Sequence, residues 1–287
     1  MKMKNKKLKI VLIVIGIIVL LSFFITLMES SVARGKIALI NVKGVIVESK
    51  TVIDEIKQYR KDPSIRAIVL RVDSPGGAVV PSQEIYEEIK RTISVKPVVV
   101  SMGSVAASGG YYISCPATKI IANPGTLTGS IGVLIEIPNI KGLLDKIGVK
   151  AEVIKSGKYK DITSPFKTLQ SDEKEILQRL IDDVHEQFIK AVSEGRKIPL
   201  EKVKKIADGR VFTGIKAKEL GLVDEVGDLD YAIKVAAQLG KIKGEPEIVT
   251  KKSTLFIELL KSDTESLIKK ILPYIQVYYL YSPALQN

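Results

Sequence analysis

The chain has one cysteine, Cys115, and one histidine, His185, in 287 residues. A lone cysteine excludes an intramolecular disulfide framework and any metal site built on a cysteine cluster. A lone histidine, set in a densely charged stretch, excludes every mechanism that needs two imidazoles and turns the search for a general base to other side chains. Also missing are an internal repeat, a low-complexity linker, an arginine-rich stripe interleaved with aromatics, and any finger or helix-turn-helix signature. The formal net charge of +12 therefore does not indicate a nucleic-acid partner. Its placement explains it better. Lys2, Lys4, Lys6, Lys7 and Lys9 precede the first acidic residue, and residues 251–287 add a small excess of lysine, which leaves only about +5 for everything between. With 46% hydrophobic and 26% charged residues, the rest has the composition of a globular domain, not of a disordered or multi-span chain.

Ile10 to Met28 is an uncharged, mostly apolar run of 19 residues. At about 1.5 Å rise per residue, a helix of that length spans a hydrocarbon core of about 30 Å. The lysines before it and Glu29 after it predict a single-pass anchor in the cell membrane, with a cytoplasmic N-terminus and an extracytoplasmic remainder. Ser31-Val32-Ala33 has the small-x-small look of a signal-peptide cleavage site, but the apolar core is longer than a secretory signal uses. No cysteine stands directly after it, as a lipoprotein anchor would require.

From Lys36 the chain alternates short apolar runs with amphipathic stretches, the pattern of an α/β fold around a mostly parallel sheet. Strands are expected at Ile37 to Val47, Ala67 to Val72, Val98 to Ser101, Lys119 to Ala122 and Ala151 to Ile154. Helices are expected at Val52 to Tyr59, Ser82 to Ile93, Asp172 to Val192, Leu200 to Ala207, Gly214 to Leu220 and Leu229 to Leu239. The long helix at 172–192 places Ile176, Leu180, Val184, Phe188 and Ala191 on one face. Ser171 opens it, with Lys174 where a capping box wants Glu. Residues 1–9 form a basic cytoplasmic segment, 10–28 the anchor, 29–250 one catalytic unit, and 251–287 a separate tail. In that tail Leu255 to Leu272 is an amphipathic helix ended by Pro273, and Tyr274 to Tyr281 is an aromatic strand or arm suited to an intra- or intersubunit contact.

Three glycine-rich breaks follow expected strands: Asp73-Ser74-Pro75-Gly76-Gly77, Ala107-Ser108-Gly109-Gly110 and Thr128-Gly129-Ser130-Ile131-Gly132. One such break is an ordinary tight turn. Three at the C-terminal ends of parallel strands mark the edge of an α/β sheet where ligands bind. Ser108 stands where a strand passes into a small-residue helix, the place of an N-cap and equally of an exposed hydroxyl. A nucleophilic serine needs a base, and without a usable histidine the candidates are lysines. Among them Lys160 follows an expected strand, although from the residues alone it is one of many.

Five segments in order carry a resemblance: Asp73 to Gly77, Val105 to Tyr112, Thr126 to Val133, Ser156 to Asp161 and Ala207 to Gly214. Together they resemble signal peptide peptidase A of the short bacterial and archaeal form, a Ser-Lys protease family on a Clp/crotonase-like fold of ββα units, here with an N-terminal transmembrane helix. The resemblance covers about Lys36 to Val249 and the anchor. It implies Ser108 as nucleophile, Lys160 as general base, Ser130 as the serine holding the lysine amine, and the Gly77 and Gly109 amides as the oxyanion hole. It implies no metal and no cofactor. Lys158 stands close enough to compete for the base, but Asp161 aligns the motif on Lys160.

A free lysine titrates near 10.4, so a lysine base must be desolvated in a largely apolar pocket. The implied activity is ATP-independent, membrane-bound cleavage of released signal peptides or other apolar peptides, by a homo-oligomeric ring with no nucleic-acid partner. The alternatives are a related membrane Ser-Lys protease that cuts a specific membrane partner protein, and a crotonase-like acyl-CoA enzyme.

Overall fold

The computed structural model describes residues 15–22 and 35–251 and the backbone of 278–280. Three strands form the centre of the sheet: β1 (Lys36–Lys43), β2 (Ile65–Ser74) and β4 (Val98–Ala107). Their sequences are runs of Ile, Val, Leu and Ala with little alternation, as expected where both sheet faces are covered. Successive side chains still point to opposite faces. Ala38, Ile40, Ile68, Leu70 and Val100 join the larger core cluster, whereas Ile37, Ala67, Val69 and Val99 join a second one.

The larger cluster is closed by α2 (Lys50–Lys61), α3 (Val79–Ile93), α4 (Gly109–Ser114) and the C-terminal half of α6 (Ser171–Arg196). The second is closed by α9 (Leu229–Leu239) through Ala232, Val235 and Ala236. Where α3, α4 and α6 meet, Tyr112 stacks between Tyr86 and Phe188, with ring centroids 5.1 and 4.9 Å apart.

The strands run in the order β9 (Glu247–Val249), β1, β2, β4, with parallel pairing throughout. At β4 the sheet divides. Residues 99–102 pair with β5 (Lys119–Ala122), which continues to β8 (Glu225–Val226). Residues 105–107 pair with β6 (Leu127–Gly129), which pairs antiparallel with β7 (Val211–Thr213). The short β3 (Gly76–Ala78) leaves the sheet and pairs antiparallel with β10 (Tyr278–Leu280). This is a mixed α/β fold consistent with the Clp-like class. The remaining helices are α7 (Leu200–Lys204) and α8 (Gly214–Glu219).

Several expectations need correction. Ala151 to Ile154 is not a strand: residues 147–155 have no ladder partner among the described residues, and Ile154 is fully exposed. An unexpected short helix, α5 (Lys141–Lys146), precedes this stretch and buries no residue. The long helix begins one residue early, capped by Gln170, whose N–H donates to Glu173 Oε2 at 3.0 Å, so the capping box closes through Glu173 and not Lys174. Ile176 and Leu180, expected on the buried face of α6, are exposed.

Of the expected anchor, residues 15–22 are helical (α1) and the rest lies outside the described residues. Among the described residues no helix is long and apolar enough to cross a membrane. The expected tail helix at Leu255 to Leu272 also lies outside them. Of the aromatic segment, residues 278–280 are a strand on the same chain, as their composition suggested.

Candidate active site

The edge formed by the strand ends is shaped first by β3. Ser74, fully buried, accepts the Gly76 N–H on its Oγ at 3.1 Å and turns the chain out of β2, with Gly76 at a φ of 104° that favours glycine. The loop after β1 then clasps β3: Ile46 N–H donates to Gly76 O and Ala78 N–H to Ile46 O, both at 2.8 Å. A Cβ at position 77 would fall 2.1 Å from Ile46 O. Glycine at 77 is therefore dictated by the approach of another backbone.

Ser108 and Ser130 leave a pair of adjacent parallel strands side by side. The last rung of the β4–β6 ladder is Ala107↔Gly129, and Ser108 N–H donates to Gly129 O at 2.8 Å. Both serines have positive φ, 53° and 49°, a conformation that L-residues adopt at a cost and that is common at functional turns. Ser108 opens α4, so its hydroxyl sits on a sharp strand-to-helix turn, the device that presents a nucleophile at a sheet edge.

The surroundings fix that turn. Thr126 Oγ1 donates to Gly103 O and Thr128 Oγ1 to Ala106 O, both at 2.7 Å, locking β6 onto β4. Ser130 N–H donates to Arg210 O at 2.9 Å, and Gly209 N–H to Ile131 O at 3.2 Å. The Ala207 to Gly214 motif, for which the sequence suggested no chemistry, thus holds the Ser130 backbone. Arg210 Nε is tied in turn to both Asp208 oxygens at 2.7 and 2.8 Å.

Gly109 and Gly77 are neighbours. A Cβ at 109 would stand 3.1 Å from Gly77 N and 2.8 Å from Ser82 Oγ. The Gly77 and Gly109 backbone thus lies beside the turn that carries Ser108, next to Ser130. Ser108 is 1% exposed and Ser130 6%, and neither hydroxyl has a hydrogen-bond partner among the described residues.

Lys160 is not brought to them. It lies on an arm, residues 134–170, between β6 and α6, in a turn where its N–H donates to Gly157 O at 3.2 Å. Its side chain is exposed and makes no hydrogen bond to Ser108 or Ser130. The desolvated amine expected of a base is not formed within one copy. Lys158 is a poor alternative: hydrogen bonds to Asp172 first and Tyr159 second raise its pKa, favouring the protonated form. Cys115 is no rival nucleophile, since burial pushes its thiol up. His185 is half-buried on α6, and its Nε2 has no hydrogen-bond partner among the described residues. No group of three or more metal-ligating side chains occurs among the described residues.

A serine on a strained strand-to-helix turn, beside paired glycine amides at the C-terminal edge of a largely parallel sheet, defines the class as an α/β serine hydrolase. Comparison with known families gives the particular member. Residues 90–243 match the model of peptidase family S49, and residues 33–126 that of Clp protease. The chain belongs to peptidase family S49 and is a serine peptidase. It is 48% identical over 208 residues to a Synechocystis protein assigned as a protease, covering 72% of this chain and 75% of that one. An Enterococcus faecium protein assigned as signal peptide peptidase SppA is 34% identical over 220 residues, covering 72% and 64%. The chloroplastic serine protease SPPA of Arabidopsis thaliana is 36% identical over 235 residues, covering 82% of this chain and 34% of that one.

Proposed function

We propose that this chain is a membrane-anchored, ATP-independent endopeptidase that degrades released signal peptides with a Ser108–Lys160 dyad completed between copies. The Ser108 hydroxyl, which has no hydrogen-bond partner among the described residues, beside the Gly77 and Gly109 backbone carries the reading. The exposed arm bearing Lys160 supports its second half. The arm displays Leu143, Ile147, Val149, Val153 and Ile154 to solvent, and Ile176 and Leu180 of α6 extend the same apolar character. Surface of this kind marks an interface, and covering it with a second copy would desolvate the Lys160 amine, as a lysine base requires.

In the reaction, Lys160 removes the Ser108 proton as Oγ attacks the peptide carbonyl, and the carbonyl electron pair moves onto oxygen. The Gly77 and Gly109 N–H groups receive that oxyanion, each donor contributing about 3 kcal/mol in comparable sites. Lys160 returns the proton to the leaving amine, and water then releases the acyl group by the same steps. Ser130, next to Ser108, orients the neutral amine. The edge of β3 suits an extended substrate, because residues 278–280 already lie on it as an antiparallel strand. The uncharged run at 10–28 supports anchoring.

The test is cleavage of an apolar signal-peptide substrate by Ser108→Ala and Lys160→Ala. Both should be inactive with unchanged folds, and activity surviving in either refutes the dyad. Mass spectrometry of products from synthetic signal peptides set against intact membrane proteins tests the substrate class; exclusive cutting of one membrane protein would replace it.

A further inference from the structure

Three of the four lysines between residues 155 and 167 are committed to carboxylates. Lys155 Nζ donates to Asp161 Oδ1 at 2.5 Å and to Lys158 O at 2.9 Å. Lys158 Nζ donates to Asp172 Oδ2 at 2.6 Å. Lys167 Nζ reaches Asp161 Oδ1 at 3.2 Å and also Glu173 Oε1. Only Lys160 has no carboxylate partner among the described residues. Tyr159 O–H also donates to Asp172 Oδ2 at 3.1 Å, a second tie from this turn to α6; the backbone bonds of the turn are local, Lys160 N–H to Gly157 O, Ile162 N–H to Tyr159 O and Ser164 N–H to Asp161 O.

The Lys167 bridge differs from an ordinary surface pair. The Glu173 side chain is 4% exposed and that of Asp161 13%, and partial burial reduces the screening that makes exposed pairs weak. Its two ends also belong to different elements. Asp161 directly follows Lys160, whereas Glu173 sits in the first turn of α6 and is fixed there by the Gln170 N–H.

Resting on the reading of Lys160 as general base, we infer that Lys167 is a positioning residue: its bridge from Asp161 to Glu173 holds the Lys160 turn on the start of α6 and neutralises the carboxylate beside the base. The charged groups around that turn are Lys155, Lys158, Asp161 and Lys167 from the arm, and Asp172, Glu173 and Lys174 from α6. Hydrogen bonds from Lys155 and Lys167 hold Asp161 below the usual carboxylate range, and Lys167 does the same for Glu173. Such depressed carboxylates support the structure above their unfolded values and lose that support only as pH falls through the folded ones, below about 4. An acid limb of activity at higher pH therefore does not report titration of the bridge.

The experiment measures kcat, KM and the pH profile of the full chain carrying Lys167→Met, Lys167→Arg or Asp161→Asn, with Lys160→Ala as control. Lys167→Met should lower kcat about tenfold or more with KM little changed, and should move the acid limb up by about half a unit because Asp161 is left under-neutralised. Lys167→Arg should restore most of kcat. Asp161→Asn, which keeps the shape and removes the negative charge, should move the acid limb the opposite way, and it carries the test if Lys167→Met fails to fold. Wild-type kcat and pH profile in Lys167→Met, or shifts of the same sign in Lys167→Met and Asp161→Asn, overturn the inference and leave the dyad standing. Activity in Lys160→Ala overturns the dyad itself.

Discussion

Mixed oligomers separate a dyad made within one copy from a dyad shared between two. Ser108 is buried at the strand ends while Lys160 is exposed on an arm that packs no helix against the core. On the proposed reading Ser108→Ala removes the nucleophile and Lys160→Ala the base, and each homogeneous preparation should lose activity by several orders of magnitude. If the chain assembles as proposed, co-expressing the two full-length variants in equal amounts gives closed assemblies with random neighbours. A site that draws Ser108 from one copy and Lys160 from the next is then complete in about one case of four, so activity per chain should recover to about a quarter of wild type. A dyad within one chain leaves every site lacking a member, and the mixture stays inactive. The assay is hydrolysis of an internally quenched apolar peptide, with active sites counted by a serine-directed phosphonate. If tagged copies of the two variants co-purify and the mixture is no more active than either variant alone, the shared dyad is refuted.

Three further outcomes follow from the packing. Gly77→Ala forces a Cβ to within 2.1 Å of Ile46 O, so β3 must shift and carry the proposed oxyanion donor with it; kcat should fall about 100-fold, and an unchanged kcat would remove Gly77 from the site. Phe188→Ala empties a fully buried ring position beside Tyr112, which should cost about 3–5 kcal/mol in denaturant unfolding; a loss under about 1 kcal/mol would show that α6 does not anchor there. Deleting residues 278–287 frees the edge of β3 that Tyr278 to Leu280 occupy. KM for a peptide substrate should fall with kcat unchanged, and an unaltered KM would mean that substrate binds elsewhere.

The central strands were legible in the sequence as short apolar runs and the helices by their helical periodicity. β5 and α9 fall where the pattern placed them, and β1, β2, β4 and α3 differ only at their ends. Ala151 to Ile154 misled for a physical reason. Its short apolar run reads as a buried strand, but here the apolar side chains face solvent, and periodicity cannot tell a core from a surface awaiting a partner. The same limit explains Ile176 and Leu180.

Around the candidate site, the glycine-rich breaks at strand ends were legible as a sheet edge, while the roles given to Ser108, Ser130, Gly77 and Gly109 came from the family resemblance. The distance of Lys160 from them was not legible, since spacing along a chain says nothing about how the arm that carries it is placed. Nor could the part played by Arg210 be read, because it acts through its carbonyl oxygen, which every residue has. Asp161 stood in the motif, but its bond to Lys167 depends on how the arm folds back on α6.

The positive φ values at Ser108 and Ser130 set the protein's durability against its usefulness. A non-glycine residue held there gives up on the order of 1 kcal/mol or more, and glycine would relieve that strain at either position while deleting a hydroxyl. On the proposed roles of the two serines, the sturdiest sequence for this backbone is therefore not an enzyme. Variants selected for heat tolerance alone should drift toward glycine at 108 and 130, and the serines persist only where peptide cleavage is itself selected.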